Sequence, residues 1–312
     1  MSGAELVRGW PPPGVISGEV VLSIGSFDGV HRGHQRLARR VAAGAARRDG
    51  VAVVVTFDPH PRCVVDPSGC PPMLTTPLER AQLLAGAGVE RVVALPFTQE
   101  LSTWSAARFC DELLASLNVR RIVAGPRMAL GHRREGDERF LREYGAAHGF
   151  DVVTVAPAVH RGAPVSSTRV RAALRGGLVG DARAMLGRNY AIPGVVETGE
   201  RRGRELGFPT ANIATASERC IPADGVYATW LLVDGRRRPS ATSIGVRPTF
   251  GEGRRTIEAH VIDYAGDLYG REVKLEFVSR LREERPYSNA QALIRQMQRD
   301  VDRVRQRLST GA

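Results

Sequence analysis

Short apolar runs alternate with longer amphipathic stretches through the first half of the chain. The runs are rich in β-branched residues and bounded by Gly, Pro or polar residues, which is typical of buried strands; they are "GEVVLSIG", "VAVVVTF", "ERVVALPF", "VRRIVAG" and "FDVVTVAP". The stretches between them predict helices, and one opens with Thr76, Pro77 and Glu79, the residues of a capping box. Strands that alternate with helices predict a parallel sheet with helices on both faces.

The pattern changes after about residue 187. From there, short runs separated by Gly, Pro and Asp alternate apolar and polar residues, which predicts an antiparallel sheet or small barrel. The end of the chain predicts an amphipathic helix on that sheet, with an apolar stripe of Leu293, Met297, Val301, Val304 and Leu308. We therefore predict two domains, 1–187 and 188–312, joined near 183–190.

Composition narrows the class of protein. The chain contains no apolar run of about 18 residues, the length that a membrane-spanning helix needs. Its first residues have no apolar core behind a basic start, so we expect no secretory signal. The cysteines form neither a CxxC pair nor a metal-ligand spacing, and we expect reduced thiols in a cytoplasmic protein; they are Cys63, Cys70, Cys110 and Cys220.

The charge has two interpretations. The formal net charge is +11, which is typical of a nucleic-acid partner. However, Lys274 is the single lysine, and the abundance of Arg, Ala and Gly indicates codon bias in a GC-rich genome. Aromatic residues make up only 6% of the chain and interleave with no basic block, so we expect no nucleic-acid partner. A basic surface also suits polyphosphate ligands.

The segment "GSFDGVHRGHQ" (25–35) carries the strongest chemical signal. It places His31 and His34 where the first strand of a parallel sheet turns into a helix, the position at which such folds bind ligands. A helix N-terminus favours anions, and two imidazoles can donate hydrogen bonds to phosphate oxygens. The alternative is a pair of exposed turn histidines, but the pattern H-x-G-H with nearby glycines favours a binding function. A metal site is less favoured, because zinc needs three or four ligands and no further cluster lies near.

This segment resembles the signature of the HxGH nucleotidyltransferases. More closely, it resembles the adenylyltransferase half of the bacterial bifunctional riboflavin kinase/FMN adenylyltransferase family, also called FAD synthetase. "TFDPHP" (56–61) and "VSSTRVR" (165–171) match that family's next segments. In the second half, its riboflavin kinase module is matched by "RGRELGFPTAN", "DGVYA", "SIGVRPTF" and "IEAHVIDYAGDLYG". The resemblance covers essentially the whole chain.

The resemblance implies a Rossmann-like α/β domain that transfers an adenylyl group from ATP to FMN. His31 and His34 would hydrogen-bond the ATP phosphates as catalytic residues. ATP or phosphate binding is also expected of Gly25, Phe27, Asp28, Gly33, Ser166, Thr168 and Arg169. Two alternatives stay open: "SSTR" is also a plain helix N-cap, and Asp28 and the 58–60 turn are also turn formers.

In the second half, the resemblance implies an antiparallel β-barrel with a terminal helix that phosphorylates riboflavin. The riboflavin hydroxyl must lose a proton, and Glu258 is assigned as the general base. Thr210 and Asn212 resemble the family's ligands of a Mg²⁺–nucleotide. Gly199, Gly203 and Gly207 suit a loop over phosphates, and Gly207 is assigned to ATP binding.

One segment departs from the family pattern. "GPRMALG" (125–131) has Arg127 in place of an Asp or Asn, and Met128 and Leu130 in place of two phenylalanines. Smaller departures are Arg201 and Ser243. The main hypothesis is a bifunctional enzyme that makes FMN and then FAD. The alternatives are a riboflavin kinase whose adenylyltransferase half is weak, silent or altered, and a flavin- or RNA-binding regulator.

The expected partners follow from that hypothesis. They are the small molecules riboflavin, FMN and ATP, together with Mg²⁺, and we expect no membrane partner. A monomer or weak homo-oligomer is expected, in the cytoplasm.

Overall fold

The computed structural model describes residues 3–126, 128–198, 207–246 and 255–309. Its contacts divide the chain into two compact units, Met1–Ser167 and Thr168–Ala312. Within the described residues, no helix combines the length and the apolarity that a membrane crossing requires. The predicted boundary of the functional domains at 187/188 stays a prediction.

The first unit is built on a six-stranded parallel sheet with the order β1-β4-β3-β2-β5-β6, as the alternating pattern predicts. Its strands are β1 (Glu5–Arg8), β2 (Val20–Ile24), β3 (Val51–Asp58), β4 (Arg91–Pro96), β5 (Val119–Ala124) and β6 (Asp151–Thr154). Its helices are α1 (Arg32–Ala46), α2 (Pro61–Val65), α3 (Pro77–Ala85), α4 (Gln99–Ser102), α5 (Ala106–Ser116) and α6 (Glu138–His148). A small antiparallel pair follows, β7 (Val159–His160) with β8 (Ala163–Pro164).

The five apolar runs are all strands, and the predicted capping box is present. The Thr76 hydroxyl accepts from the backbone N–H of Glu79, and the Glu79 carboxylate accepts from that of Thr76. The strand β2 is buried along its whole length between β3 and β5, so its carboxyl end lies in the middle of the sheet. The edge strand β1 carries no long apolar run, which is why the sequence pattern did not predict it.

The expectation of four reduced thiols is wrong for Cys63 and Cys70, which form a disulfide. Asp66 is the C-cap of the short helix α2. Its carboxylate accepts the backbone N–H of Gly69 and so stabilises a turn. This turn brings together two cysteines seven residues apart, a spacing outside the usual motifs. Cys110 is free and buried, and burial with the nearby Asp111 carboxylate raises the pKa of its thiol to about 12.

The second unit is a closed antiparallel barrel with the order β10-β13-β12-β11-β14-β9, as predicted. Its strands are β9 (Tyr190–Glu197), β10 (Ala211–Ala214), β11 (Gly225–Val233), β12 (Arg236–Val246), β13 (Arg255–Val261) and β14 (Glu272–Arg282). Its helices are α7 (Ser167–Arg175), which starts at the end of the first unit, α8 (Val179–Leu186) and the terminal α9 (Ala290–Ser309).

The predicted stripe of α9 is only partly apolar at its contact with the barrel. Val301, Val304 and Leu308 are buried there. Nearer the start of α9, the buried residues are Gln296 and Asp300. The Asp300 carboxylate pairs with Arg282 at 2.8 Å, so a polar network replaces part of the expected stripe.

Candidate functional site

The loop between β2 and α1 forms a tight turn just after the buried strand. Phe27, Gly29 and Val30 have φ values of 48°, 81° and 39°. Positive φ is costly for an aromatic or β-branched residue and persists only where the surroundings hold it. The 25–31 turn is therefore a constrained element, and it carries both histidines of the H-x-G-H pattern.

His31 is the N-cap of α1. Its side chain is 6% exposed, and its Nδ1 accepts the backbone N–H groups of Gly33 at 3.1 Å and His34 at 3.3 Å. Because Nδ1 acts as an acceptor, the proton of the neutral ring sits on Nε2. His31 therefore caps the start of the helix with Nδ1 and carries the ring proton on Nε2.

His34 stacks on His31 with 3.6 Å between ring centroids, and Phe27 lies 4.9 Å away on another side. Burial, and then the neighbouring His31 and Arg80, hold the pKa of His34 well below its ordinary value. Its buried Nδ1 has no hydrogen-bond partner. The imidazole of His34 is thus neutral at physiological pH, and its Nδ1 makes no hydrogen bond to the described residues.

Asp28 belongs to the 25–31 turn and is fully buried. Its carboxylate accepts the backbone N–H groups of Leu74 and Thr75, at 3.0 and 2.9 Å, and the Thr75 hydroxyl at 3.0 Å. It does not line the pocket beside the histidines. The geometry therefore favours the structural alternative for Asp28, a tie between two loops, over direct contact with a phosphate.

A pocket of about 450 Å³ opens at the carboxyl ends of β2, β5 and β6. It brings together most of the residues predicted for ATP in the first unit, namely Gly25, Phe27, His31, Gly33, His34 and Ser166. A Cβ at Gly33 would lie 3.0 Å from the His31 ring, so this position has little room for a side chain. We call this the phosphate pocket.

The "SSTR" segment stands at the junction of the two units. The Ser167 hydroxyl donates to the carbonyl oxygen of Asp28 at 2.8 Å and so joins the end of the first unit to the turn. Thr168 and Arg169 lie in the first turn of α7, in the second unit. Their role toward the phosphate pocket stays a prediction.

A second pocket of about 660 Å³ shares Ile24, Gly25 and Met128 with the phosphate pocket. We call it the aromatic pocket, because Phe57, Phe97, Trp104 and Phe109 line it. Its polar lining includes Arg62, His132, Arg133 and Arg134. Sequence analysis missed this pocket, although Phe57 and Phe97 stand at the ends of neighbouring strands, which is the available signal.

The aromatic pocket bears on the departing segment 125–131. Met128 lines both pockets, and Leu130 lines the aromatic pocket, is largely buried and exchanges backbone hydrogen bonds with Gly136. Arg127 lies outside the described residues. Aromatic side chains of other elements nevertheless form a surface beside the phosphate pocket.

Glu258 stands in β13 of the barrel, facing away from its interior. Ile257 and Ala259 on either side are buried inside, whereas Glu258 is half-buried. Its carboxylate lies 3.5 Å from the Thr210 hydroxyl and 3.3 Å from that of Thr256. The strand register also pairs Glu258 with Asn212. The structure thus brings the predicted base beside both predicted metal ligands.

Thr210 lines a pocket of about 520 Å³ in the barrel unit. Pro209, Ala211 and Ala259 also line it, together with the 264–269 loop. We call this the barrel pocket; Glu258 does not line it. Gly207 precedes it with a φ of 82°, while Gly199, Gly203 and Arg201 lie outside the described residues.

Magnesium fits the donors around Glu258. Mg²⁺ prefers hard oxygen ligands and keeps several positions for water and phosphate. The Thr210 hydroxyl and the Asn212 amide oxygen are donors of this kind; Thr210 immediately precedes β10 and Asn212 is the second residue of that strand. Across the described ranges, His, Cys, Asp and Glu form no group of three that could hold a metal ion.

Comparisons with known proteins agree with this division. The FAD synthetase family model matches residues 15–169, and the riboflavin kinase family model matches residues 186–308. A bifunctional riboflavin kinase/FMN adenylyltransferase of Pseudomonas fluorescens is 39% identical over 287 residues, covering 91% of this chain and 92% of that protein. The enzyme of the same description from Escherichia coli strain K12 is 35% identical and covers 90% of each chain.

A solved structure extends the similarity to the whole fold. It is a crystal structure described as a macrolide-efflux protein from Streptococcus pneumoniae. It superposes with a TM-score of 0.88 at 28% identity and covers 96% of this chain and 98% of that one.

Proposed function

This chain belongs to the bifunctional riboflavin kinase/FMN adenylyltransferase family, and we propose from that membership that its barrel makes FMN from riboflavin and its parallel-sheet unit makes FAD from FMN. ATP is the second substrate of both reactions. The observation that carries the proposal is that each unit assembles groups suited to one of these transfers. The functional domains are proposed as 1–187 and 188–312, which the match of the kinase model from residue 186 supports.

Adenylyl transfer requires alignment more than a base. A phosphate oxygen of FMN attacks the α-phosphorus of ATP, the bond to the bridging oxygen breaks, and pyrophosphate leaves. The attacking phosphate is already an anion, so the protein must orient it and offset charge in the transition state. His31 donates from Nε2 toward a phosphate oxygen, and the positive end of the α1 dipole favours the same anion. The phosphate pocket therefore holds the ATP phosphates.

The flavin of FMN binds in the aromatic pocket. Its ring system is flat and largely apolar, and Phe57, Phe97 and Trp104 provide surfaces for stacking. The two pockets meet at Ile24 and Gly25, so a flavin in one directs its phosphate toward ATP in the other. This lining supports the bifunctional hypothesis over a silent adenylyltransferase half.

Riboflavin phosphorylation requires a base. The 5′-hydroxyl of riboflavin is neutral, and Glu258 takes its proton as the oxygen bonds to the γ-phosphorus of ATP and ADP leaves. ATP lies in the barrel pocket, which reaches Thr210, and its phosphates extend toward Glu258 on the other side of that residue. Thr210 and Asn212 hold Mg²⁺, which offsets phosphate charge when bound.

The remaining expectations stay predictions. They are a cytoplasmic location, a monomer or weak homo-oligomer, and the absence of nucleic-acid and membrane partners.

The test is a chromatographic assay of the purified chain with ATP and Mg²⁺. One reaction contains riboflavin and the other contains FMN. We expect FMN from the first and FAD from the second. FMN without FAD would instead establish a riboflavin kinase whose parallel-sheet unit is inactive. The absence of both FMN and FAD would refute the proposed function.

A further inference from the structure

Arg80 is a buried charge that neither the sequence pattern nor the mechanism above uses. It lies on α3 with 1% of its surface exposed. Its guanidinium donates to the carbonyl oxygens of Ser26 at 3.2 Å, Phe57 at 3.1 Å and Thr75 at 3.4 Å, and to the Thr56 hydroxyl at 3.2 Å. Burying a guanidinium costs several kcal/mol unless hydrogen bonds and charge offset it. The four hydrogen bonds of Arg80 therefore offset part of this cost, and their acceptors indicate what the buried charge does.

The acceptors of Arg80 belong to three separate segments. Ser26 is in the turn that carries the histidines, and Phe57 forms part of the wall of the aromatic pocket. Thr75 donates its hydroxyl to Asp28 and accepts the backbone N–H of Gly29 at 2.9 Å. One rigid guanidinium thus joins the turn, the end of β3 and the segment before α3. Three of these bonds come from Nη1 and the fourth comes from Nη2. The planar guanidinium fixes these two nitrogens relative to each other, which a single lysine ammonium nitrogen cannot do.

We propose that Arg80 is a positioning residue for adenylyl transfer. Its guanidinium holds the 25–31 turn against the end of β3, and so sets the place of His31 and His34 relative to the aromatic pocket. The inference rests on the proposed function of these two pockets. Arg80 lies beneath the turn and lines neither of them.

Arg80 also acts on His34 through its charge. The groups that lower the pKa of His34 are His31, from the same loop, and Arg80, from α3, in addition to burial. Removing the positive charge of Arg80 raises the pKa of His34, whereas exchanging it for lysine keeps the charge and changes the geometry. The two effects can therefore be separated.

The experiment compares Arg80→Met, Arg80→Lys and the control Arg91→Met, in which an arginine paired with Glu5 on the outer strands is removed. Rates and KM for FAD formation from FMN are measured across pH, with the pKa of His34 followed by NMR. Misplacement of reacting groups by about 1 Å costs on the order of 100-fold. We expect about that loss of kcat in Arg80→Met, with a raised pKa of His34. Arg80→Lys should lose about 10-fold, with the pKa of His34 retained.

Riboflavin kinase activity of the same samples reports the barrel unit only, so folding of the parallel-sheet unit is checked by urea unfolding followed through Trp10 and Trp104 in a Trp230→Phe background. If Arg80→Met does not fold, Thr56→Val carries the test, since it removes one acceptor of Arg80 and the Thr56 bond to the Ser26 carbonyl oxygen at 2.9 Å. It should lower kcat for FAD formation and leave the kinase unchanged.

Two results would overturn the inference. One is wild-type kcat and KM in the Arg80 variants, or in Thr56→Val, with only the melting temperature lowered, which is the behaviour of a purely structural residue. The other is an equal loss in Arg91→Met. Absence of FAD formation in the wild-type protein would instead refute the proposed function itself.

Discussion

The two proposed sites serve related phosphorus chemistry with different side chains, imidazoles in one unit and a carboxylate in the other. The parallel-sheet unit offers two imidazoles at a helix N-terminus just after a buried strand, and its His34 is held neutral. The barrel offers a carboxylate, Glu258, on the outer side of a strand. A nucleophile that is already an anion needs donors that do not take its proton, whereas a neutral hydroxyl needs an acceptor. The charge of the attacking group accounts for the difference.

The sites also differ in how their groups are held. In the barrel, the regular strand register sets Glu258 beside Asn212, and a period of two places both on the outer side. In the parallel-sheet unit, an irregular turn with positive φ values needs buried polar ties, from Asp28 and Arg80, to keep its shape. The first arrangement follows from the fold alone, and the second depends on individual side chains distant in sequence.

The largest expected effect comes from Glu258→Gln, which keeps the shape of the side chain and removes the base. General bases contribute typically 10²–10⁴-fold, so FMN formation should fall about 10³-fold. FAD formation from supplied FMN should not change, because that reaction needs no such base. The matched control is Glu272→Gln, an exposed carboxylate on β14 of the same barrel. Loss of both reactions in folded protein would break the division into two sites.

Variants of His31 sharpen the comparison from the other side. His31→Ala removes both the helix cap and the Nε2 donor, while His31→Asn supplies a good cap and no donor at that reach. Removing one donor to a transition-state anion costs about 10²–10³-fold, and we expect that loss of FAD formation in both variants. The kinase reaction should be unaffected, and His148→Ala, at the exposed end of α6, is the control. Activity restored in His31→Asn would mean that His31 acts only as a cap.

Local patterns predicted the secondary-structure elements of both units. The β-branched runs gave the strands, and the spacing of His31 and His34 placed them at a strand-to-helix turn. Glu258 was assigned from the resemblance to the riboflavin kinase module, and the alternation along β13 places it on the outer side of the strand. Each of these inferences needs only residues that are close in sequence.

The missed features depend on contacts between distant segments. Asp28 meets Leu74 and Thr75 across 46 and 47 residues, and Arg80 meets Ser26 across 54. A signal for Arg80 existed, since it precedes Leu84 by four residues on the buried face of α3, where a charge is unusual. No local pattern indicated what it would bind. The Cys63–Cys70 disulfide was missed for a different reason, because its two cysteines are close in sequence but pair only through the turn that Asp66 makes.

Asp28→Asn tests whether Asp28 acts as a structural tie. An amide in place of the carboxylate sets an N–H₂ group against backbone donors, and a hydrogen bond to a charged group is worth about 1.5–3 kcal/mol. We expect the parallel-sheet unit to lose about 2 kcal/mol of unfolding free energy. In a Trp230→Phe background, the remaining tryptophans, Trp10 and Trp104, report urea unfolding of that unit alone. Asp49→Asn is the control, because Asp49 is exposed and asparagine tolerates its positive φ.

The smallest expected effect is the pH dependence that His34 gives to stability. In the folded chain its pKa lies below the ordinary value of 6.5, so in acid the unfolded chain binds a proton that the folded chain does not. Unfolding free energy attributable to His34 is therefore full above 6.5 and falls as the pH drops through 6.5 toward the folded pKa, with a slope of at most about 1.4 kcal/mol per pH unit.

Urea unfolding in the Trp230→Phe background at about pH 7.5 and about pH 5.5 measures this loss. His34→Gln should reduce it, because glutamine does not titrate, and Glu258→Gln in the barrel should leave it unchanged. Within the parallel-sheet unit, His148→Gln is the matched control, since that histidine is exposed. A pH dependence that His34→Gln leaves intact would show that the imidazole is not held neutral. The contrast between a neutral donor in one unit and a carboxylate base in the other would then lose its electrostatic basis.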